Sequence, residues 1–329
     1  MKKSLIACIS LALAFLVLNT EVFPQPTATA WKPSRAMVLI VPFGPGGGYD
    51  TWGRRIAKTM EKHVGVPVVV KNIQGLGGVS AMETIQRTKP DGHTIILFEL
   101  YAMLIAQRLL QPSYDIYKFT PVGVVQDIPS ALWGATSSPF KSIKDVLTIG
   151  KTKTLRGGTT GLSSGLWLYQ AVLAAEAKID IRPVSGYGGG GACLLALEAG
   201  DIDLQFVNII PALPWLKRGT VRALAVGGDS RDPRLPDTPT FAEVGLPKTG
   251  DFARGIRTVM GPPGIPSAAA AFLEKSLSAT LSDKEFLTWL KKQGDVVTPM
   301  TAKQLTVLIG KADKTIEEFL PVLKPWFKK

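Results

Sequence analysis

Two cysteines and two histidines are all that this chain of 329 residues offers to thiol and imidazole chemistry. His63 closes a helix-like pattern and His93 follows the turn Pro90-Asp91-Gly92, neither beside a cysteine or a paired carboxylate at ligand spacing. Both are expected to be solvated, and no metal site is expected. No G-x-S-x-G elbow occurs and Cys193 has no local base, which argues against a hydrolase or thiol enzyme. The chain also lacks a run that spans a bilayer comfortably; the longest apolar stretch, residues 5–18, is too short. Lys2 and Lys3 precede that stretch and Ala28-Thr29-Ala30 follows it, the pattern of a secretory signal peptide cut after Ala30. Cleavage there removes Cys8 and leaves Cys193 alone. A lone thiol forms no intrachain disulfide, so a large buried core has to hold the fold even in an oxidising compartment.

Acidic residues are in the minority, 26 against 38 lysines and arginines, for a formal net charge of +12. The basic residues are scattered, and an exported protein meets little nucleic acid. The excess therefore reads as a solvated surface with some preference for anionic ligands, and no nucleic-acid partner is expected.

Apolar runs alternate with helical patterns along most of the chain. Residues 38–41, 66–70 and 94–98 read as strands, separated by helices over 51–64 and from the glycines at 75–78 to about 88. The rhythm returns with a helix over 164–177, a strand at 181–184, a helix to 199, a strand at 204–207, a helix over 211–218 and a strand at 221–226. Neighbouring parallel strands need a crossover helix, so this order predicts an α/β fold with a mainly parallel sheet in each of two lobes. Residues 122–126 and 224–228 are expected to cross between lobes, giving residues 31–126 and 227–329 to lobe I and 127–226 to lobe II. The C-terminal part supplies an apolar pair at 259–260, the turn PPGIP and helices near 268–281, 284–293 and 302–320. A cleft with a hinge follows from that arrangement.

The stretch VPFGPGGGYD, residues 41–50, stands where a strand gives way to a helix. In open α/β sheets ligands sit beyond the carboxyl ends of strands, and helix N-termini there offer unpaired N–H groups and partial positive charge. Glycines at such a place either let an anion approach the amides or make a turn too tight for a Cβ. Asp50 is expected to cap a helix starting at Thr51. No lysine follows the glycines as a phosphate loop requires, and Thr51 stands where the dinucleotide pattern needs its third glycine. A carboxylate is the better fit, and no cofactor is expected. SGYGGGG, residues 185–191, occupies the equivalent place in the second lobe, with Tyr187 as a phenolic donor or an aromatic wedge.

Three segments, VPFGPGGGYD, then GVPVVVKNIQGLGGVSAMETIQRTKPDGHTIIL, then VRALAVGGDSRDPRLPDTPTFAEVGLP, resemble the Bug family of periplasmic solute-binding proteins, the receptors associated with tripartite tricarboxylate transporters. The similarity covers essentially the whole chain after Ala30. It implies a periplasmic two-lobe, Venus-flytrap receptor for small organic acids (di- or tricarboxylates, amino acids or aromatic acids), without catalysis, monomeric, and partnered by transporter membrane subunits. The family's two glycine loops, which hold a ligand carboxylate, fall here on residues 42–50, with Phe43, Gly46, Gly47, Gly48, Tyr49 and Asp50, and on residues 185–189, with Tyr187, Gly188 and Gly189. The loop 158–164 resembles the family's second-lobe contact loop and offers Thr160, Ser163 and Ser164; Asn208 matches a strand-end polar residue. Tyr49 replaces the family's usual threonine, and Gly188 and Gly165 also depart from the pattern.

Glu99 stands where the family generally shows a small hydroxyl residue. Pointing into the cleft it favours a monocarboxylate bearing a donor at its far end; on the rim it is a bystander. Arg254 either counters a second carboxylate or is exposed near the hinge. A sensor component for a signalling receptor and a secreted α/β enzyme are the alternative functions.

Overall fold

The computed structural model describes residues 31–161 and 164–327; residues 1–30, which hold the expected leader and cleavage point, and Ser163 lie outside them. Strands β1 (Met37–Val41), β2 (Val68–Asn72) and β3 (Thr94–Glu99) pair in parallel in the order β2-β1-β3. Helix α1 (Gly48–Val64) crosses from β1 to β2, and α2 (Val79–Gln86) from β2 to β3. α1 forms because Trp52, Ile56, Met60 and Val64 recur every fourth residue and are all buried, and it stops at Gly65 in the left-handed conformation. Helix α3 (Leu100–Leu110) follows β3 without a loop.

β4 (Phe119–Ala135) is the longest strand and joins two groups of elements. Its first part pairs antiparallel with a strand from the C-terminal region, and its last residues pair with two strands of the second group. That second group runs α4 (Ile143–Ile149), β5 (Leu155–Gly158), α5 (Gly165–Ala177), β6 (Ile181–Val184), α6 (Gly190–Ala199), β7 (Gln205–Asn208), α7 (Ile209–Arg218) and β8 (Val221–Val226). β5 and β6 are parallel, and β7 and β8 each pair antiparallel with β4. The chain then returns through α8 (Pro247–Phe252) into β9 (Arg254–Pro263), which lies antiparallel between β3 and β4. Helices α9 (Ser267–Leu281), α10 (Lys284–Gln293) and α11 (Ala302–Phe327) complete the fold. The sheet is therefore mixed: parallel where a helix crosses over between neighbours, antiparallel along β4 and β9.

α3 and the full length of β4 are invisible to periodicity for different reasons. α3 buries Leu100 and then every position from Ala102 to Ala106, so it carries no polar stripe there. β4 contains Pro121, Gly123 and Pro129, which break the run as a sequence; three register shifts against β9 accommodate that irregular stretch. His93 corrects the expectation of a solvated imidazole: it is buried, its Nε2 accepts the Ser34 N–H at 3.1 Å, and its Nδ1 lies 3.2 Å from Asp91 Oδ1. His63 is half-buried.

Candidate ligand-binding cleft

Five helices start around one cavity. The residues at the beginnings of α1 (Gly47, Gly48, Tyr49), α3 (Glu99), α5 (Ser164, Gly165), α6 (Gly188 to Gly191) and α7 (Asn208) all line it, and it encloses about 910 Å³ together with its open mouth. The first N–H groups of a helix have no acceptor inside the helix and carry partial positive charge. At α1, α5, α6 and α7 the N-cap residues Gly47, Ser164, Gly189 and Asn208 make no side-chain capping hydrogen bond. Only α3 is capped, by the Glu99 carboxylate, which accepts the Ala102 N–H at 2.5 Å. Four uncapped helix starts facing one space make a site for a small anion.

The glycines divide into two kinds. Gly46 and Gly186, with φ of +81° and +104°, adopt the left-handed region that a turn there requires. Gly47, Gly48, Gly188 and Gly189 do not. A Cβ on Gly48, Gly188 or Gly189 meets nothing within 4 Å, and one on Gly47 meets only the Gly44 carbonyl oxygen at 3.5 Å. Nothing in the fold requires glycine at these four positions, and all four line the cavity.

Of the residues singled out from the sequence, Phe43, Tyr49, Glu99, Thr160, Ser164 and Asn208 join those four glycines on the cavity wall. Gly46, Asp50 and Tyr187 do not. α1 begins at Gly48, so Asp50 lies in its first turn and does not cap a helix starting at Thr51. It is buried, its Oδ2 accepts from Gly46 N and Arg54 Nε at 2.9 Å each, and its Oδ1 accepts from Asn72 Nδ2 at 2.9 Å. Burial opposes its charge, yet the hydrogen bonds from Arg54, Gly46 and Asn72 hold the carboxyl below the usual range, so it braces the loop from behind. Tyr187 is half-buried against the cluster of Trp133 and Cys193, the wedge position. The Ser164 hydroxyl turns back into its own loop, 2.7 Å from the Gly161 carbonyl and 2.9 Å from Thr159 Oγ1.

Glu99 is not a rim residue. It is 7% exposed, and burial pushes its carboxyl up to about 7 against hydrogen bonds from Ala102, Ile256 and Tyr101 N–H groups and the Tyr169 hydroxyl. Burial and the nearby Glu99 likewise raise the Tyr49 phenol well above its ordinary value, so it stays a neutral group on the wall. The Phe43 and Tyr49 rings lie 5.0 Å apart and wall one side.

Arg254 lies off the cavity wall and is committed to Asp127 through two hydrogen bonds of 3.0 and 2.7 Å. The arginine on the wall is Arg257, three residues further along β9, 6% exposed, with its guanidinium 5.2 Å from the Tyr49 ring and 4.8 Å from the Trp52 ring. A charge inside the apolar run IRTVM was the signal that could have found it. Tyr169, whose hydroxyl donates to the Arg254 carbonyl at 2.8 Å, is a second wall residue that the sequence did not announce. Among the described residues no three metal-ligating side chains come together, and no helix is long and apolar enough to cross a membrane.

Residues 53–320 match the family described as tripartite tricarboxylate transporter family receptor. The chain is similar to protein BugT of Bordetella pertussis, 30% identical over 302 residues that cover 89% of this chain and 90% of that protein. Among solved structures it is similar to the periplasmic binding protein BugD, with 26% identity, 88% of this chain and 98% of that one covered, and a TM-score of 0.76. It is also similar to MatC from Rhodopseudomonas palustris with bound malate, at 28% identity, 88% and 99% coverage and a TM-score of 0.77. The architecture is accordingly the two-lobe α/β fold of periplasmic binding proteins.

Proposed function

The chain belongs to the tripartite tricarboxylate transporter family of receptors, and on that premise we propose that it captures a small organic carboxylate in this cleft and presents it to the transporter's membrane subunits. The observation that carries the reading is the set of four glycines, at positions 47, 48, 188 and 189, whose missing side chains leave room in the cavity and not in the fold. Each pair borders an uncapped helix start, so a carboxylate between them receives several preorganised N–H donors without needing a salt bridge.

The working parts are two lobes, residues 31–126 with 227–329 and residues 127–226. Two features support that division: β4 exchanges β9 for β7 and β8 between Pro129 and Ser130, and Gly227 N–H donates to the Ser130 carbonyl at 2.8 Å beside that exchange. α1 then belongs to one lobe and α5, α6 and α7 to the other. An anion held on one set of amides gains the second set only when the lobes close, which shifts the population toward the closed form. The protein acts in the periplasm after removal of residues 1–30, as a monomer, without cofactor and without catalysis; BugD, to which it is similar, is itself a periplasmic binding protein.

The experiment is a thermal-shift screen over mono-, di- and tricarboxylates, amino acids and aromatic acids, repeated with Gly47→Val and Gly189→Val. A ligand raises the melting temperature with its occupancy. Both variants are expected to melt normally and to lose the ligand-induced rise; unchanged binding by both overturns the assignment.

A further inference from the structure

Arg257 is a buried cation with no charged partner among the described residues. A guanidinium does not shed its proton, and burying it without a counter-charge is costly. Among the described residues it makes no ion pair and no side-chain hydrogen bond, and its buried Nε has no acceptor. Two carboxylates that neighbour it in the fold are engaged elsewhere. Glu99, directly across the strand pair, accepts from Ala102 N and faces Ile256 N and Tyr169 Oη at 3.4 and 3.5 Å. Asp295, which feels the charge of Arg257, has its Oδ1 taken by Gln126 Nε2 and by Val296 N. The rings of Tyr49 and Trp52 offset part of the desolvation, but ring faces satisfy no in-plane N–H. What remains for the donor fork is the cavity that Arg257 lines.

We propose that Arg257 pairs with a second acidic group of the ligand, so that the cleft selects dicarboxylates: one carboxylate on the amides of the helix starts, the other on the guanidinium. The proposal rests on the carboxylate reading above and adds which residue sets the ligand class. A planar fork matches a carboxylate with two parallel hydrogen bonds, which an amide or a methyl at the same place cannot replace.

The test is calorimetric titration of the whole protein with malate, adipate and other dicarboxylates of three to eight carbons, each beside its half-amide, followed by Arg257→Gln and Arg257→Lys. The wild-type chain is expected to prefer its best diacid over the half-amide by roughly 30-fold or more, the scale on which one partner of a buried charge pair is lost. Arg257→Gln should bring that preference below about 3-fold and leave half-amide binding nearly unchanged; Arg257→Lys, which keeps the charge and loses the fork, should retain part of the preference. Equal weakening of diacid and half-amide places Arg257 on the same carboxylate as the amides and overturns the proposal. So does a best ligand that is a monocarboxylate indifferent to Arg257→Gln. Failure of every carboxylate to bind the wild-type chain instead overturns the carboxylate reading itself.

Discussion

Glu99 and Arg257 stand directly opposite each other on the antiparallel pair β3 and β9, both on the cavity wall, and yet form no ion pair. The Glu99 carboxylate turns back to cap α3 while the Arg257 guanidinium turns onto the rings of Tyr49 and Trp52. Opposite charges placed as neighbours and kept apart leave the cation to the cleft and the acid to the fold.

The acid then sets a pH dependence. Its ordinary value of 4.5 in the unfolded chain rises to about 7 in the folded one. The folded state holds this proton more tightly, so the group contributes no penalty below about pH 4.5, an increasing one as pH rises to 7, and a constant one above. The whole span is on the order of 3 kcal/mol. Glu99→Gln, which keeps an acceptor for Ala102, should remove that contribution. Urea unfolding of both proteins at pH 5 and pH 8 measures it: equal pH slopes mean that the carboxyl is not the source.

Gly46 and Gly48 should respond oppositely to alanine. Gly46→Ala forces a Cβ into a left-handed backbone and is expected to cost about 1–2 kcal/mol of stability. Gly48→Ala starts α1 without strain or clash, so stability should hold, while its methyl group projects into the cavity and weakens ligand binding. Melting curves together with titrations of each variant separate the two effects. A Gly48→Ala protein that binds normally refutes the reading of that glycine as ligand space.

The Arg254–Asp127 pair ties β9 to β4 beside the point where β4 changes partners. Arg254→Gln leaves a nearly buried carboxylate without its cation. The expected loss is about 1–3 kcal/mol, because the arginine is partly exposed and solvent screens it. Asp127→Asn in the same chain should recover part of that loss, and chemical denaturation of the two single variants and the double variant closes the cycle.

Cys193 is fully buried, and burial pushes its thiol up to about 12, so little thiolate exists at neutral pH. In protein beginning at residue 31, a thiol reagent should label it only after denaturation. Stoichiometric labelling of the native protein within minutes would show that α6 opens far more readily than its packing implies.

The alternation of β1, α1, β2, α2 and β3 was legible because each element carries its own period, and the glycine loops were legible because glycine punctuates a chain wherever the fold puts it. α3 was not, since burial on all sides erases the stripe that periodicity detects. Asp50 and Tyr187 sit in the right loops, but whether a loop residue faces the ligand or braces its own turn depends on partners such as Arg54, Asn72 and the Trp133 cluster, which arrive from elsewhere in the chain.

By itself, then, the sequence determined the strand–helix order and the two bare-backbone loops, because propensity and turn chemistry act over a few residues. Only the tertiary structure decided which helix starts share one cavity and which arginine charges it. Arg254 and Arg257 are three residues apart on β9, and successive side chains of a strand alternate between faces. An odd separation sends the two guanidiniums to opposite sides, and the identity of the side that meets the cleft depends on β3 lying against β9, from more than 150 residues earlier in the chain.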